Sequence, residues 1–407
     1  MPDGSRKTVG GGLRIGWIAA RGPVFNRLAS LKMATDLNTS PLDQHVATRY
    51  LAGDGHDRLL TEARVTYRLR AEALRTALDR HLEGEFDASA LDHYEAIVDR
   101  SLSLGMAPVV TFNHMTSPHW FAARGGWLDP AAPGLFARYC DRVMAAFGDR
   151  IAVAVTLNEP NLPHLLTWMD IPDFVRDLER STLEAAGKAA GVPRYRLANV
   201  MLPEEFDAMA DGMEAGHVAA RSAIKARRGS LPVGFSLAVV DDQVVGDDPT
   251  VRDRKRAEVY GRWLSLASAD DYIGVQNYER QYYDAAGPVE AGGMFSGVDA
   301  RSLGSAVRYA HQATGVPILV TEHGIATEDD ARRATFIVES LAGLQTAIDD
   351  GVPVLGYIHW TLMDNFEWIF GYGPKLGLHS VDRETFKRTP KPSAAAYAEA
   401  VRSYDLG

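Results

Sequence analysis

Two glutamates in this chain each follow a short run of strand-forming residues. Glu322 follows residues 318–321 (ILVT), and Glu159 follows residues 151–158 (IAVAVTLN). Apolar runs of this length fit strands that are buried on both faces of a parallel sheet. A carboxylate at the C-terminal end of such a strand lies where α/β barrels keep their active sites. Taken alone, the two glutamates could equally pair with basic neighbours. Whether they form a functional carboxylate pair depends on the residues in the rest of the chain.

The composition is that of an ordinary globular protein and limits the partners. The chain has 407 residues, of which 46% are hydrophobic and 24% charged, and its net charge is −10. This acidic balance predicts no nucleic-acid and no membrane partner, because both attract basic surfaces. Neither an apolar signal core nor a stretch of about 18 apolar residues occurs, so we expect a cytoplasmic location. The sequence specifies no oligomeric state.

Several other kinds of chemistry are disfavoured by missing patterns. Cys140 is the only cysteine and lies in a helical pattern, so we expect a packed thiol rather than a nucleophile. No His-x-x-x-His or His-Glu-x-x-His spacing occurs, and we predict no metal site and no cofactor. The absence of a Gly-x-Ser-x-Gly elbow disfavours a Ser-His-Asp hydrolase.

Eight strand candidates alternate with helical patterns, which predicts a (β/α)₈ TIM barrel. Alternation of this kind is typical of a parallel sheet, and eight repeats favour a closed barrel. No Gly-x-Gly-x-x-Gly follows the first strand, which disfavours a nucleotide-binding open sheet. No linker divides the chain, so we expect residues 1–407 to form one domain, with a long polar loop over residues 35–54. The strand candidates are residues 13–20, 65–69, 107–112, 151–157, 232–238, 272–275, 318–321 and 354–360.

Helical spacing fills the segments between these strands. Apolar residues recur at positions 91, 94, 97, 98 and 102, and Gly105 would end that helix. Further helices are predicted over residues 135–147, 174–190, 205–228, 251–267, 303–314 and 331–348.

The residues after each strand are candidates for one site, because the strand ends of a barrel converge on one pocket. Two carboxylates occur there among imidazole, amide, hydroxyl and indole groups. Carboxylates can act as acid and nucleophile at an acetal carbon, while polar side chains bind hydroxyls and indole faces stack on a sugar ring. The pattern therefore predicts sugar binding and cleavage. The candidates are Arg68, His114, Asn158, Glu159, Tyr278, Glu322, Trp360, Asp364, Asn365, Glu367 and Trp368.

Some of these residues have a structural alternative. Arg68 could serve only as a counter-ion for buried carboxylates. His114 taken alone fits a satisfied core histidine, and Trp360 and Trp368 fit core aromatics. Their joint placement at strand ends favours the functional interpretation.

Several segments resemble glycoside hydrolase family 1, the retaining β-glycosidases. Residues 156–161 (TLNEPN) resemble the acid/base motif of that family, and residues 320–324 (VTEHG) resemble its nucleophile motif. Residues 111–118 (TFNHMTSP) are similar to its sugar-binding loop, and residues 359–393 to its C-terminal signature. The resemblance extends from about residue 57 to the end of the chain.

This resemblance implies hydrolysis of a small-molecule β-glycoside through a covalent glycosyl-enzyme intermediate, without a cofactor. Glu322 would attack the anomeric carbon, and Glu159 would protonate the leaving oxygen and then activate water. Arg68 and Tyr278 would orient Glu322 and favour its charge, with the two carboxyls roughly 5–5.5 Å apart. Asn158 would bind the 2-hydroxyl, His114 the 3-hydroxyl, Glu367 and Trp368 the far hydroxyls, and Trp360 would form the floor.

The N-terminal part departs from the family pattern. Residues 20–26 (ARGPVFN) lack the usual Gln-x-Glu-Gly, and residues 70–75 (RAEALR) lack the Trp of a Ser-x-x-Trp-Ser-Arg pattern. His323 replaces the Asn that usually follows the nucleophile, and Gln276 stands two positions before Tyr278. One wall of the sugar site is therefore rebuilt, and the sugar is not specified.

Two alternatives to a simple β-glycosidase stay open on this evidence. One is a repurposed family-1 fold that acts on a specialised natural-product glycoside by transglycosylation or by non-hydrolytic acid–base chemistry. The other is a sugar-binding protein without catalysis.

Overall fold

The computed structural model describes residues 86–169, 173–198, 200–289 and 297–403. The described residues from Asp87 onward belong to one compact unit. The predicted strands at residues 13–20 and 65–69, the polar loop at residues 35–54 and Arg68 all lie outside the described residues. The organisation of residues 1–407 as one domain stays a prediction.

Six parallel strands correspond to the six strands predicted from residue 107 onward. They pair in the order in which they occur in the chain, as expected for a sheet built from repeated strand–helix units. Every residue of the third, fourth and fifth strands is buried, as expected for a (β/α)₈ barrel, in which helices cover the outer face of the sheet and packed side chains fill the inner face. The strands are β1 (Val109–Asn113), β2 (Val153–Asn158), β3 (Val233–Ala238), β4 (Ile273–Asn277), β5 (Ile318–His323) and β6 (Val354–Tyr357).

The helices lie close to their predicted positions. The first begins after Asp87, whose side chain accepts hydrogen bonds from the backbone N–H groups of Ser89 and Ala90. Gly105, with φ of 76°, follows its C-terminal end. The helices are α1 (Ala88–Ser103), α2 (His119–Ala123), α3 (Ala132–Phe147), α4 (Leu162–Leu166), α5 (Asp173–Ala190), α6 (Phe206–Arg227), α7 (Thr250–Arg256), α8 (Arg262–Ala267), α9 (Ser302–Thr314), α10 (Asp330–Asp349) and α11 (Pro392–Ser403).

One predicted helix is divided and several short elements were not predicted. The helix expected over residues 251–267 consists of α7, a π-helical turn at Ala257–Gly261 and α8. Asp241–Val244 pairs in parallel with Arg280–Asp284, and these short strands follow β3 and β4. His379–Val381 pairs antiparallel with Arg388–Pro390. These strands have only three to five residues, many of them polar, so no apolar run marks them in the sequence.

The hydrophobic core lies between the sheet and its helices. It includes Phe235 of β3, Trp263 of α8 and Ile224 of α6, all almost fully buried. Cys140 of α3 belongs to the same core, and burial raises the pKa of its thiol. The prediction of a packed cysteine is therefore confirmed.

Candidate active site

The two glutamates lie at the carboxyl edge of the sheet, on strands separated by β3 and β4. Glu159 directly follows β2, and Glu322 is the fifth residue of β5. In the strand register, Asn158 is paired with Ser236, and Gln276 is paired with Glu322. Two strands at the centre of the sheet thus connect the surroundings of one carboxyl to those of the other.

Glu322 lies in polar surroundings although it is only 8% exposed. The Tyr278 hydroxyl donates a hydrogen bond to Glu322 Oε2 at 2.6 Å. Burial raises the pKa of Glu322 well above its usual value and the charge of Glu159 raises it further, while the Tyr278 hydrogen bond opposes both. Because the hydroxyl donates, it stabilises the ionised carboxylate.

The Asn158 side chain is fixed by its neighbours across the sheet. Its Oδ1 accepts hydrogen bonds from Gln276 Nε2 at 2.7 Å and from Ser236 Oγ at 3.1 Å. With Oδ1 occupied, Nδ2 has no partner among the described residues, although the side chain is buried. A buried amide donor without a partner is rare, and here it is available to a ligand hydroxyl. We call Asn158, Ser236, Gln276, Tyr278 and Glu322 the polar cluster.

Sequence reasoning did not assign a role to Ser236 or Gln276. Ser236 lies inside the apolar run of β3, and Gln276 was noted only as a departure from the family pattern. Their importance depends on the cross-strand register, which places both next to Asn158. The one signal in the sequence is that polar residues occur within strands that are otherwise apolar.

Glu159 has a different backbone and a different environment. Its φ is 46°, in the left-handed region that non-glycine residues seldom adopt. Its backbone N–H donates to the Ser236 carbonyl oxygen at 2.9 Å, which holds this conformation against β3. Burial, followed by the charge of Glu367, raises the pKa of Glu159 to about 8, and no described hydrogen bond opposes that rise.

A group of ring-bearing side chains lies at the ends of β1 and β6. The centroid of the His114 ring is 6.0 Å from that of Trp360 and 6.1 Å from that of Trp368. The Trp360 side chain hydrogen-bonds to Glu367, which lowers the carboxyl pKa against the effect of burial. Glu367 Oε2 is buried without a partner among the described residues. The structure therefore brings four predicted sugar-binding residues together, and we call them the aromatic cluster.

Asp364 was a candidate because it follows the last predicted strand. Its contacts stabilise the loop after that strand, and it is not part of the aromatic cluster. It accepts hydrogen bonds from Gly377 N and from Lys391 Nζ, both at 2.9 Å. Lys391 also donates to the Gly377 carbonyl oxygen at 2.8 Å. The C-terminal signature thus braces the segment that carries Trp360, Glu367 and Trp368.

His323, the last residue of β5, follows Glu322 and hydrogen-bonds to Asn277, the residue before Tyr278. It is fully buried, and its Nδ1 donates to the Asn277 carbonyl oxygen at 2.5 Å. Burial lowers the pKa of the His323 ring to about 4, so the ring is neutral near pH 7. This histidine, unusual for the family, therefore anchors the backbone just before Tyr278.

A pocket opens on the side of Glu159. Its walls come from the loop after β1, from α4 and from the segment around residues 198–206. Three charged residues line it as well, namely Glu159, Arg176 and Glu179. We call it the apolar pocket, because its other lining is almost entirely hydrophobic: Met115, Leu162, Leu166, Ala198, Met201 and Phe206.

Metal-binding clusters and membrane-spanning helices are both absent from the described part of the chain. No group of three or more His, Cys, Asp or Glu side chains there could hold a metal ion. None of the described helices combines the length and the apolar character that crossing a membrane requires.

Comparison with known proteins identifies the family of this chain. The model of glycosyl hydrolase family 1 matches residues 62–183 and 289–405. The chain belongs to that family. The unmatched residues 184–288 include Ser236, Gln276 and Tyr278 of the polar cluster.

Individual relatives support this assignment. The chloroplastic galactolipid galactosyltransferase SFR2 of Arabidopsis thaliana is 30% identical over 331 residues, which are 77% of this chain and 50% of the relative. The chain thus spans about half the length of that protein. The bifunctional β-D-glucosidase/β-D-fucosidase of Bifidobacterium breve is 27% identical and covers 79% of this chain and 80% of its own. The structure of the β-glycosidase BGL167 is 41% identical with a TM-score of 0.71, and the alignment covers 79% of each chain.

These comparisons confirm the predictions of family and fold class. The chain has the (β/α)₈ barrel fold of its family, to which the described residues contribute six strands. It is a glycoside hydrolase of the retaining β-glycosidase class.

Proposed function

We propose that this chain hydrolyses a β-O-glycosidic bond with Glu322 as nucleophile and Glu159 as acid/base. The observation that carries this assignment is the Tyr278 hydrogen bond, which goes to Glu322. Two carboxyls of the same chemical type need different protonation states for this reaction, and that hydrogen bond distinguishes them.

Near neutral pH, one of the two carboxyls is ionised and the other is protonated. Burial raises the pKa of both; the charge of Glu367 raises that of Glu159 further, and the charge of Glu159 raises that of Glu322. Ionising both at once is therefore unfavourable. The donated hydrogen bond stabilises the negative charge on Glu322. Glu159 keeps its proton because its pKa of about 8 lies above neutral pH. This state has an ionised nucleophile and a protonated acid.

The reaction then proceeds in two balanced steps. A Glu322 oxygen attacks the anomeric carbon, the bond to the leaving oxygen breaks, and that oxygen takes the proton of Glu159. Glu322 is now a neutral ester, so the repulsion on Glu159 falls and its pKa drops. As a carboxylate, Glu159 then takes a proton from the water that displaces Glu322. Two inversions give net retention, with the carboxyls expected roughly 5–5.5 Å apart.

The sugar is held by groups that have unused hydrogen-bonding atoms. Asn158 Nδ2 would donate to the 2-hydroxyl, and Glu367 Oε2 would accept from a far hydroxyl; both atoms lack described partners. Burial lowers the pKa of His114, so a neutral ring would bind the 3-hydroxyl. Trp360 would form the floor of the pocket and Trp368 would reach the far hydroxyls, while Arg68 would orient Glu322.

Transglycosylation is a second candidate outcome of the same intermediate. One of the relatives is named a galactolipid galactosyltransferase, and the apolar pocket would offer space for an alcohol acceptor. We expect hydrolysis to dominate. Measuring free sugar and alkyl glycoside together, with a short alcohol present, would show how the intermediate partitions.

Two broader proposals concern the setting of this reaction. The chain is proposed to act in the cytoplasm, in carbohydrate metabolism. We also propose that it needs no cofactor.

Proton NMR during turnover of an aryl β-glycoside tests the proposed reaction. The proposal predicts that the β-anomer of the free sugar appears first and then mutarotates. Initial release of the α-anomer would show an inverting reaction and contradict the nucleophilic role of Glu322.

A further inference from the structure

A buried hydrogen-bond network surrounds Asn277, the last residue of β4 and the one directly before Tyr278. Asn277 is 1% exposed, and its Nδ2 donates to the Val239 carbonyl oxygen at 2.9 Å, just beyond β3. Its Oδ1 accepts a hydrogen bond from the hydroxyl of Ser302, the first residue of α9, at 2.6 Å. Its backbone carbonyl oxygen accepts from His323 Nδ1. We call Asn277, Ser302 and His323 the Asn277 network.

Packing holds the His323 ring that makes the last of these hydrogen bonds. The centroid of the ring is 4.9 Å from that of Phe336 on α10 and 5.9 Å from that of Tyr357 on β6. A carbonyl oxygen can only accept, so Nδ1 carries the hydrogen atom. Because burial lowers the pKa of the ring to about 4, this hydrogen bond does not depend on protonation near neutral pH.

The direction of the Asn277 carbonyl affects the position of Tyr278. This carbonyl belongs to the planar peptide that joins the two residues, so fixing its direction also fixes the backbone nitrogen of Tyr278. The Tyr278 hydroxyl donates to Glu322 at 2.6 Å, and a hydrogen bond weakens when its distance or angle departs from the preferred values. A displaced Asn277 carbonyl would therefore weaken the hydrogen bond to Glu322.

We propose that the Asn277 network, and His323 in particular, positions the Tyr278 hydroxyl for the nucleophile. His323 is then a positioning residue of the reaction and not only a part of the core. This inference rests on the proposed function, because it takes Glu322 as the nucleophile and Tyr278 as the donor that stabilises its charge.

The proposal requires a hydrogen-bond donor at residue 323 rather than an imidazole ring. His323→Phe removes the donor but keeps a ring, and the buried Asn277 carbonyl loses this partner. This variant is expected to lower kcat on an aryl β-glycoside roughly tenfold, since misplaced groups in an active site are costly. His323→Asn keeps an amide donor close to the position of Nδ1, so it should retain most of the lost activity.

The pH profile distinguishes positioning from a general loss of structure. A weaker Tyr278 hydrogen bond raises the pKa of Glu322, so His323→Phe should move the acid limb of kcat/KM to higher pH, as Tyr278→Phe does. Ser302→Ala removes the donor to Asn277 Oδ1 and should move the limb in the same direction by a smaller amount.

The matched control is His311→Phe. Nδ1 of His311 also donates to a backbone carbonyl oxygen, that of Val316, at 2.9 Å. Val316 lies just before β5, at the opposite end of that strand from His323. The control variant should keep both the kcat and the acid limb of the unchanged protein.

A double-mutant cycle with Tyr278→Phe is the decisive experiment. If His323 acts through the Tyr278 hydroxyl, adding His323→Phe to Tyr278→Phe should lower kcat less than about twofold, because coupled residues are not additive. Should His323→Phe fail to fold, Ser302→Ala takes its place in the same cycle. Losses that multiply, or an acid limb that the single variant leaves in place, would overturn the inference.

The same data separate this inference from the proposed function. If Tyr278→Phe shifts the acid limb while His323→Phe and Ser302→Ala do not, only the inference is wrong. If Tyr278→Phe itself changes neither kcat nor the acid limb, the role of Tyr278 in the proposed function is contradicted.

Discussion

The polar cluster and the apolar pocket surround two identical carboxyl groups in opposite ways. In the polar cluster, Tyr278 donates to Glu322 and the Asn158 amide is fixed from β3 and β4. In the apolar pocket, Glu159 adjoins hydrophobic surface, and no described hydrogen bond opposes the rise in its pKa. In the proposed mechanism, environment rather than residue type therefore separates the nucleophile from the acid.

This difference extends to the backbone. Glu322 lies within a regular strand, so its position is set by the sheet register. Glu159 lies just beyond its strand with a left-handed φ, held by the hydrogen bond from its N–H to Ser236. That conformation costs on the order of 1 kcal/mol or more, so the backbone at Glu159 does not continue the regular strand.

Removing the nucleophile should have the largest effect. Glu322→Ala is expected to lower kcat on an aryl β-glycoside by on the order of 10⁵-fold, as for covalent nucleophiles in other hydrolases. Added azide should occupy the vacated space and give the α-glycosyl azide. Glu339→Ala changes an exposed glutamate of α10 and should behave like the unchanged protein. Residual activity above about a tenth would show that another group attacks the sugar.

Removing the acid should act selectively on poor leaving groups. Glu159→Gln is expected to lower kcat/KM roughly 10²–10⁴-fold for alkyl glycosides, but only slightly for 2,4-dinitrophenyl glycosides, whose leaving group needs no proton. In the unchanged protein, kcat/KM for alkyl glycosides should fall as pH rises through about 8, where Glu159 loses its proton. An alkaline limb that persists in Glu159→Gln would assign that titration to another group.

The Asn158 amide should matter for substrates that carry a 2-hydroxyl. Asn158→Ala is expected to lower kcat roughly 10²-fold on a β-glycoside, because hydrogen bonds to this hydroxyl strengthen in the transition state. The same variant should lose little on the 2-deoxy glycoside. Gln276→Leu removes the donor that fixes the amide and should show a smaller loss with the same substrate dependence. Equal losses on both substrates would indicate a structural role alone.

The smallest of these effects is expected from Tyr278→Phe. Losing a hydrogen bond to a charged group should lower kcat roughly 10–100-fold. That hydrogen bond lowers the pKa of Glu322, so its loss raises this pKa and moves the acid limb of the pH profile to higher pH. Tyr94→Phe, at a 58% exposed tyrosine, is the control. An acid limb that stays in place would separate Tyr278 from the charge on Glu322.

The candidate site residues at strand ends carry the clearest signal in the sequence. Buried parallel strands show continuous apolar runs, so a polar residue at the end of a run stands out, as at Glu322 and Asn158 directly after their runs and at Tyr278 three residues after Val275. Ser236 and Gln276 could not be assigned in this way, since their contacts depend on register across three strands. The apolar pocket combines Met115, Leu166 and Met201 from distant parts of the chain. Nothing in the sequence distinguishes these hydrophobic residues from others, so their contact in one pocket could not be predicted.

Trapping the covalent intermediate tests the assignment of the two carboxyls most directly. The protein would be incubated with 2,4-dinitrophenyl 2-deoxy-2-fluoro-β-glycosides of several sugars, and its intact mass and peptides would then be measured. The account predicts a mass gain of one fluoroglycosyl unit, located on Glu322, and the sugar that reacts fastest identifies the one the site accepts. A label on Glu159 or any other residue would contradict the account, as would efficient turnover with no label on Glu322.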